Sequence, residues 1–257
     1  MERHRLLHSR STLTPGLPGR HRGFSLVELA IVLIIFALLA GGLMMTLTTQ
    51  QEIQRLSEVR RQLADIREAL LGYAVANGRL PAPANPTIAS GTAGAGLSDD
   101  SFMNTSGGLG VLPWATLGLP ETDPWGQRFT YRVTPGFADA IGANTIPSFP
   151  PSSCLPNPLP TQASFALCSN GDIKVTDGSA DIATGLPVIV VSHGRNGLGG
   201  YGRNGIQRPG AFGDELENAN DDNVFVRREQ NPNFDDEVIW VPLPILMNRM
   251  VITGRLP

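Results

Sequence analysis

The chain has 257 residues, of which 41% are hydrophobic, and it carries 20 basic and 23 acidic side chains. This length suffices for one domain of ordinary size plus an additional segment, and the acidic balance argues against a general nucleic-acid binder. The charge is unevenly spread, because residues 1–22 hold five arginines and one glutamate, which leaves a net charge of −7 on the remaining residues.

A basic N-terminal head precedes the apolar run from Leu29 to Leu47, which has 19 residues and no charged side chain. About 20 apolar residues span a bilayer as a helix, and flanking positive charges stay on the cytoplasmic side. The pattern therefore predicts a basic leader over residues 1–23 and a transmembrane helix over residues 24–47. Since no Ala-x-Ala cleavage site follows the run, we expect the apolar segment to remain in the mature protein as its anchor.

A second helical pattern follows the apolar run. Six apolar side chains recur at spacings of three and four, which places them on one face of a helix, with charged residues mostly on the other faces. This stripe consists of Leu56, Val59, Leu63, Ile66, Leu70 and Tyr73. Because Asn77-Gly78 and the prolines that follow are typical of a helix end, we predict an amphipathic continuation of the helix over residues 48–79.

Residues 80–257 form the predicted exported domain, which is rich in glycine and proline and has short β-type runs between turn residues. The predicted strands are residues 129–133, 164–167, 172–175, 187–191, 224–227 and 238–241. Residues 85–110 and 147–160 are predicted as long loops. The fold class is therefore α+β, with a long N-terminal helix packed on a small antiparallel β-sheet domain.

The residues Gly-Phe-Ser-Leu-Val-Glu-Leu at positions 23–29 resemble the processing site of type IV prepilins and type II secretion pseudopilins. In that family a prepilin peptidase cuts after the glycine, here Gly23, and methylates the new amino terminus, here Phe24. The resemblance implies a pilin-like fold and a single-pass protein of the bacterial inner membrane. Its C-terminal domain would lie in the periplasm, or outside the cell within a filament.

The resemblance also implies partners. They are other pilin or pseudopilin subunits, the prepilin peptidase and methyltransferase, an inner-membrane assembly platform and membrane lipid, with no nucleic acid.

Glu28 is a lone carboxylate at the head of the apolar run, where an acid is costly and usually marks function. One interpretation is structural, because Ser25-Leu26-Val27-Glu28 matches a capping box. The other follows from the resemblance: cleavage exposes the amine of Phe24, and Glu28 of one subunit pairs with the amine of the next during filament assembly. An unpaired charge in an apolar core would be expensive, so this pair would specify axial register.

Three later segments resemble the exported domain of major pseudopilins. They are Asp-Pro-Trp-Gly-Gln-Arg-Phe-Thr-Tyr at 123–131, Val-Ser-His-Gly-Arg-Asn-Gly-Leu-Gly-Gly at 191–200, and Asp-Asp-Glu-Val-Ile-Trp at 235–240. The resemblance is absent over residues 85–120 and 140–185, where we expect insertions.

In major pseudopilins the matching loops hold calcium, and no other cofactor is implied. Candidate carboxylate ligands here are Asp214, Glu217, Asp221 and Asp222, which offer the hard oxygen atoms that calcium prefers. Asn196 stands where the family has an aspartate, which removes a charged ligand. A solvated acidic loop without metal is the alternative.

Cys154 and Cys168 lie in the predicted exported region, where a disulfide persists. Closing so short a loop would contribute roughly 3 kcal/mol. Two unpaired thiols are the alternative.

The leading functional hypothesis is a structural subunit, a pseudopilin or minor pilin, and not an enzyme. The second is a minor pilin at a filament tip, whose inserted loops bind a surface or ligand. The third is a membrane-anchored enzyme acting through His193 beside Ser192, which would require a partner acid and oxyanion donors to converge.

Overall fold

The long N-terminal helix is the dominant element of the computed structural model, which describes residues 23–142 and 161–256 and leaves out the side chains of residues 40–49. The helices are α1 (Leu26–Asn77), α2 (Asp100–Ser106), α3 (Trp114–Leu117), α4 (Pro135–Ala138), α5 (Asp214–Glu217) and α6 (Leu243–Ile252). The strands are β1 (Leu109–Val111), β2 (Thr130–Val133), β3 (Ile173–Thr176), β4 (Asp181–Leu186), β5 (Val188–Ser192), β6 (Val224–Val226) and β7 (Glu237–Val241). The α+β class is confirmed.

Two sheets are formed by these strands. The first has four strands in the order β1-β2-β5-β7, and all of its pairs are antiparallel, which agrees with the predicted antiparallel sheet. The second sheet has the order β4-β3-β6, and its β3 and β6 strands are parallel. The prediction of one small antiparallel sheet was therefore wrong in two respects, since there is a second sheet and it contains a parallel pair.

Strand β5 is buried on both faces and holds the layers together. Its side chains alternate, as in any strand: Val188 and Val190 belong to the core shared with α1, whereas Ile189 and Val191 belong to the core shared with the second sheet. The four-stranded sheet is therefore the middle layer, between α1 on one face and the second sheet on the other.

The predicted apolar stripe of α1 faces this core. Val59, Leu63, Ile66 and Leu70 are each no more than 3% exposed. The helix ends at Asn77, and Gly78 follows with φ 72°, where an added Cβ would lie 2.1 Å from the Gln162 carbonyl oxygen. Periodicity and a helix-ending glycine thus predicted this end correctly.

The C-terminal segment supplies a helix that the sequence analysis did not predict. Leu246 and Met250 of α6 are fully buried in the same core as the α1 stripe. Arg255 beyond α6 donates a hydrogen bond of 2.8 Å from Nε to the Val75 carbonyl oxygen, which satisfies a group near the end of α1.

One predicted strand, residues 164–167, is wrong. The segment consists of bends and a turn. The Ser164 amide donates to the Gly78 carbonyl oxygen at 3.0 Å, and its hydroxyl donates to the Phe137 carbonyl oxygen at 3.2 Å. Phe165 packs on the Phe137 ring, with ring centroids 4.8 Å apart. The segment therefore bonds to the end of α1 and to α4, which leaves it outside either sheet.

The chain divides into two units at Gln50–Gln51. Among the residues that the structure describes, none of the helices has both the length and the mean hydropathy that a membrane crossing requires.

Candidate functional site

The start of α1 carries the residues of the predicted processing site. The Ser25 amide donates to Oε2 of Glu28 at 3.3 Å, and the Val27 amide donates to Oγ of Ser25 at 3.2 Å. Glu28 therefore caps its own helix in the uncut chain, as the capping-box interpretation predicts. Its pairing with the amine of another subunit stays a prediction.

The first part of α1, with Phe24 before it, presents a large apolar surface. The apolar side chains of the described residues from Phe24 to Leu39 are exposed, with Phe24 at 83% and Leu26 at 86%. Contiguous apolar surface of this extent marks contact with lipid or another protein.

A buried polar network lies around His193, directly after β5. His193 is fully buried, and its Nε2 lies 2.7 Å from Oγ1 of Thr130. Burial lowers the pKa of His193 to about 4, so the ring is neutral at pH 7. The Ser192 hydroxyl donates to Oδ2 of Asp123 at 2.7 Å and not to the His193 ring, so this bond joins the end of β5 to the turn before β2.

The Asp123 carboxylate that receives this bond organises the first of the family-like segments. Its Oδ1 accepts from the amides of Trp125 and Gln127, each at 3.0 Å, which fixes the turn before β2. Trp125 packs partly buried on the main core, and its Nε1 donates to Oε1 of Glu52 on α1 at 3.1 Å. These bonds anchor the turn both to β5 and to the part of α1 that begins at Gln51.

Three carboxylates beside this network form a candidate metal centre. Glu215, Asp235 and Asp236 each offer an oxygen, and these oxygens lie within 4.8 Å of one another. Glu215 and Asp236 are 0% and 3% exposed. Oε2 of Glu215 and Oδ1 of both aspartates are buried without a hydrogen-bond partner among the described residues.

Leaving three carboxylate oxygens buried and unpartnered is costly. Burial raises the pKa of all three carboxyl groups, most strongly that of Asp236. A divalent cation that takes oxygen ligands would satisfy all three atoms and remove their mutual repulsion. The residues present therefore fit a hard divalent cation.

Two asparagines orient the cluster by bonding the opposite carboxylate oxygens. Asn196 donates from Nδ2 to Oε1 of Glu215 at 2.6 Å and from its amide to Oδ2 of Asp235 at 2.9 Å. Asn218 donates from Nδ2 to Oδ2 of Asp236 at 2.8 Å. Each acid thus has one oxygen held by an asparagine and one oxygen left for the centre of the cluster, and hydrogen bonds of this kind orient the ligands in metal sites.

The four calcium ligands predicted from the sequence are not members of this cluster. Asp214 pairs with Arg228, and Asn220 donates to the carboxylates of Glu217 at 3.3 Å and Asp222 at 3.1 Å. Asp221 is exposed.

Glu215, Asp235 and Asp236 were not predicted from the sequence as a group. Two features of the sequence pointed to them: Glu215 lies within an acidic run, and Asp235-Asp236 opens the segment 235–240 that resembles pseudopilins. Asn196, interpreted as a lost ligand, instead holds two carboxylates in place.

Of the two cysteines, Cys168 is disulfide-bonded. Cys154 lies outside the described residues, so the Cys154–Cys168 pairing stays a prediction.

Comparison with known families gives one match. Residues 19–44 match the model described as the prokaryotic N-terminal methylation motif, which confirms the resemblance noted at residues 23–29. Neither the curated proteins nor the solved structures include a significant match to this chain.

Proposed function

We propose that this prepilin-like protein, which carries the type IV prepilin-like signal at residues 19–44, is a structural subunit of a type II secretion or type IV pilus filament, either a pseudopilin or a minor pilin. A prepilin peptidase cuts it between Gly23 and Phe24, and the new amino group of Phe24 is methylated. The methylation motif is the observation that carries this proposal.

The distribution of apolar surface along α1 supports a filament role. The stripe from Val59 to Leu70 is covered by the exported domain, whereas the apolar side chains from Phe24 to Leu39 are exposed. In the proposed cycle, this exposed part lies in the inner membrane as a single pass before assembly. It then packs against the corresponding helices of other subunits in the filament core.

The local geometry at Glu28 supports a change of partner on cleavage. In the uncut chain the carboxylate bonds to the Ser25 amide. Removal of residues 1–23 creates a cationic amine four residues before it, and opposite charges in an apolar environment attract far more strongly than in water. Since the carboxylate then has a cationic partner available, cleavage converts a helix cap into a group for inter-subunit pairing.

The test is the intact mass of the protein extracted from its native membrane. We expect the loss of residues 1–23 and the gain of one methyl group. A full-length chain, or one cut elsewhere, would contradict the proposal, and deletion of the peptidase should leave the uncut mass.

We further propose that Glu215, Asp235 and Asp236 bind calcium, replacing the ligand set expected from the sequence alone. Calcium fits because it accepts several oxygen ligands in flexible geometry, and three carboxylates supply a strongly anionic site. Bound calcium would fix α5 and the segment before β7 to each other and to the loop of Asn196.

Calcium should raise the melting temperature of the detergent-solubilised full chain relative to the same sample in chelator. A cation at 100 times its dissociation constant contributes about 2.7 kcal/mol to folding stability. Asp236→Asn should abolish the calcium response while stabilising the chelated protein, since it removes one of three repelling charges. Thermal unfolding by circular dichroism measures both effects.

Glu217→Gln is the matched control, because Glu217 lies in the same acidic run but outside the cluster. It should keep the full calcium response. Equal melting temperatures in calcium and chelator would overturn the site, and loss of the response in Glu217→Gln would reinstate the ligand set expected from the sequence.

A further inference from the structure

A cavity of about 310 Å³ lies in the exported domain between segments that are distant in the sequence. One wall comes from Pro86 and from the α2–β1 region, which falls in the part of the chain without resemblance to pseudopilins. The other wall comes from residues 199–207, which belong to a glycine-rich loop, and from the turn after α5. Small-molecule sites have volumes of roughly 300 Å³ upward, so the cavity has room for a sugar-sized ligand.

The walls of the cavity are held together before any ligand arrives. Arg128 is completely buried and donates hydrogen bonds to the carbonyl oxygens of Pro86 and Ile88, each at 2.9 Å, and of Arg203 at 3.3 Å. Its own amide donates to the Tyr201 carbonyl oxygen at 2.8 Å. One side chain thus joins the loop after α1 to the glycine-rich loop, and such preorganisation lowers the entropy lost on binding.

The side chains that line the cavity indicate which class of ligand it can bind. Phe102 and Tyr201 contribute aromatic rings, and Gln207, Asn220 and Asp221 contribute amide and carboxylate groups. No lysine, arginine or histidine lines the cavity among the described residues, and Asp221 gives it a negative charge. An anion would be repelled, whereas a neutral ligand with apolar C–H faces and many hydroxyl donors matches both the rings and the acceptors.

We propose that this cavity binds a neutral carbohydrate, one or two sugar rings in size, through contact with Tyr201 and hydrogen bonds to Asp221. The site goes beyond the filament role and does not depend on it. If the subunit lies at a filament tip, a neutral carbohydrate would be the ligand that its inserted loops bind.

The test is ligand-observed saturation-transfer NMR on the full chain in micelles of a detergent without a sugar headgroup. The probes are D-glucose, D-galactose, D-mannose, N-acetyl-D-glucosamine and their β-linked disaccharides, each titrated separately. We expect at least one probe to give a saturable signal, with a dissociation constant on the order of millimolar. D-glucuronate has a carboxylate in place of the C6 hydroxymethyl group of D-glucose and should bind more weakly than D-glucose, because Asp221 repels it.

Tyr201→Ala should weaken the binding about tenfold, since it removes one aromatic surface, and Asp221→Asn should reduce it with the fold unchanged at an exposed position. Phe212→Ala is the control, because Phe212 is an aromatic residue of the same loop region, 55% exposed and outside the cavity lining. It should bind as the unmodified chain does.

Two results would overturn the proposal. One is the absence of a saturable signal from every neutral sugar, including the case in which only D-glucuronate binds. The other is a signal that survives unchanged in both Tyr201→Ala and Asp221→Asn. Because these measurements do not involve cleavage or assembly, their failure is distinguishable from failure of the filament proposal.

Discussion

A Glu28→Gln chain should be cut after Gly23 and retained in the membrane, but its entry into filaments should fall below detection. Glutamine at this position preserves the capping box, because its amide oxygen still accepts from the Ser25 amide. It removes only the negative charge. Immunoblots of sheared filaments and of membrane fractions, with the intact mass as a check on processing, measure the two outcomes separately.

Ser25→Ala is the complementary control. It removes the hydroxyl that accepts from the Val27 amide and weakens the helix start by about 1 kcal/mol, while leaving the charge of Glu28 in place. We expect this chain to assemble. If Glu28→Gln assembled as well as the unmodified chain, the inter-subunit pairing would be wrong and Glu28 would be a helix cap only.

Arg128→Met should lower the free energy of unfolding of the unit that begins at Gln51 by about 3–5 kcal/mol, the usual effect of removing one partner of a buried ion pair. Methionine has a similar length but no donors. The substitution leaves buried carbonyl oxygens unpaired and removes the nearer of two cationic partners of Glu121, whose Oε1 lies 2.9 Å from Nη2 of Arg128 and whose Oε2 lies 3.8 Å from Nε of Arg203. It also removes the contact with the Trp114 ring, whose centroid is 4.7 Å from the guanidinium carbon. Urea unfolding followed by tryptophan fluorescence measures the loss.

Arg60→Met provides the comparison, because Arg60 pairs with Glu237 at 2.8 Å but its side chain is 60% exposed. Exposed pairs contribute at most about 1 kcal/mol, so its effect should be small. Adding Glu121→Gln to Arg128→Met should recover part of the lost stability, since the mostly buried carboxylate that lost its nearer cationic partner is then replaced by a neutral amide. Equal effects of the two arginine substitutions would show that the buried arginine does not hold the loops together.

Residues 85–110 carry few local signals from which secondary structure can be predicted. Residues 85–110 were predicted as a loop, yet they contain α2 and the start of β1. Asp99 caps the start of helix α2, because its side chain accepts a hydrogen bond from the Phe102 amide. Gly107, with φ 64°, caps the end of the helix. Both are ordinary capping signals, but seven residues are too few for apolar periodicity to indicate a helix.

The acidic residues that begin at Asp214 show a different limit of prediction from sequence. Asp214, Glu215 and Glu217 have similar local sequence surroundings, and their charges alone do not indicate which one is buried. Packing of the short helix α5 against β6 turns Glu215 inward and leaves Asp214 to pair with Arg228. The partners that complete the cluster come from residues 235–236, about 20 positions later, which no local pattern connects to α5.

The sequence by itself determined the prepilin-like signal, the extent of the apolar stripe on α1 and the end of that helix at Asn77. These features depend on residues within one or two helical turns of each other, so spacing and capping chemistry suffice. Only the tertiary structure decided the second sheet with its parallel pair, the buried carboxylate cluster and the cavity clamped by Arg128. Each of these joins segments far apart in the chain, and their contacts follow from how the layers pack around β5 rather than from any local preference.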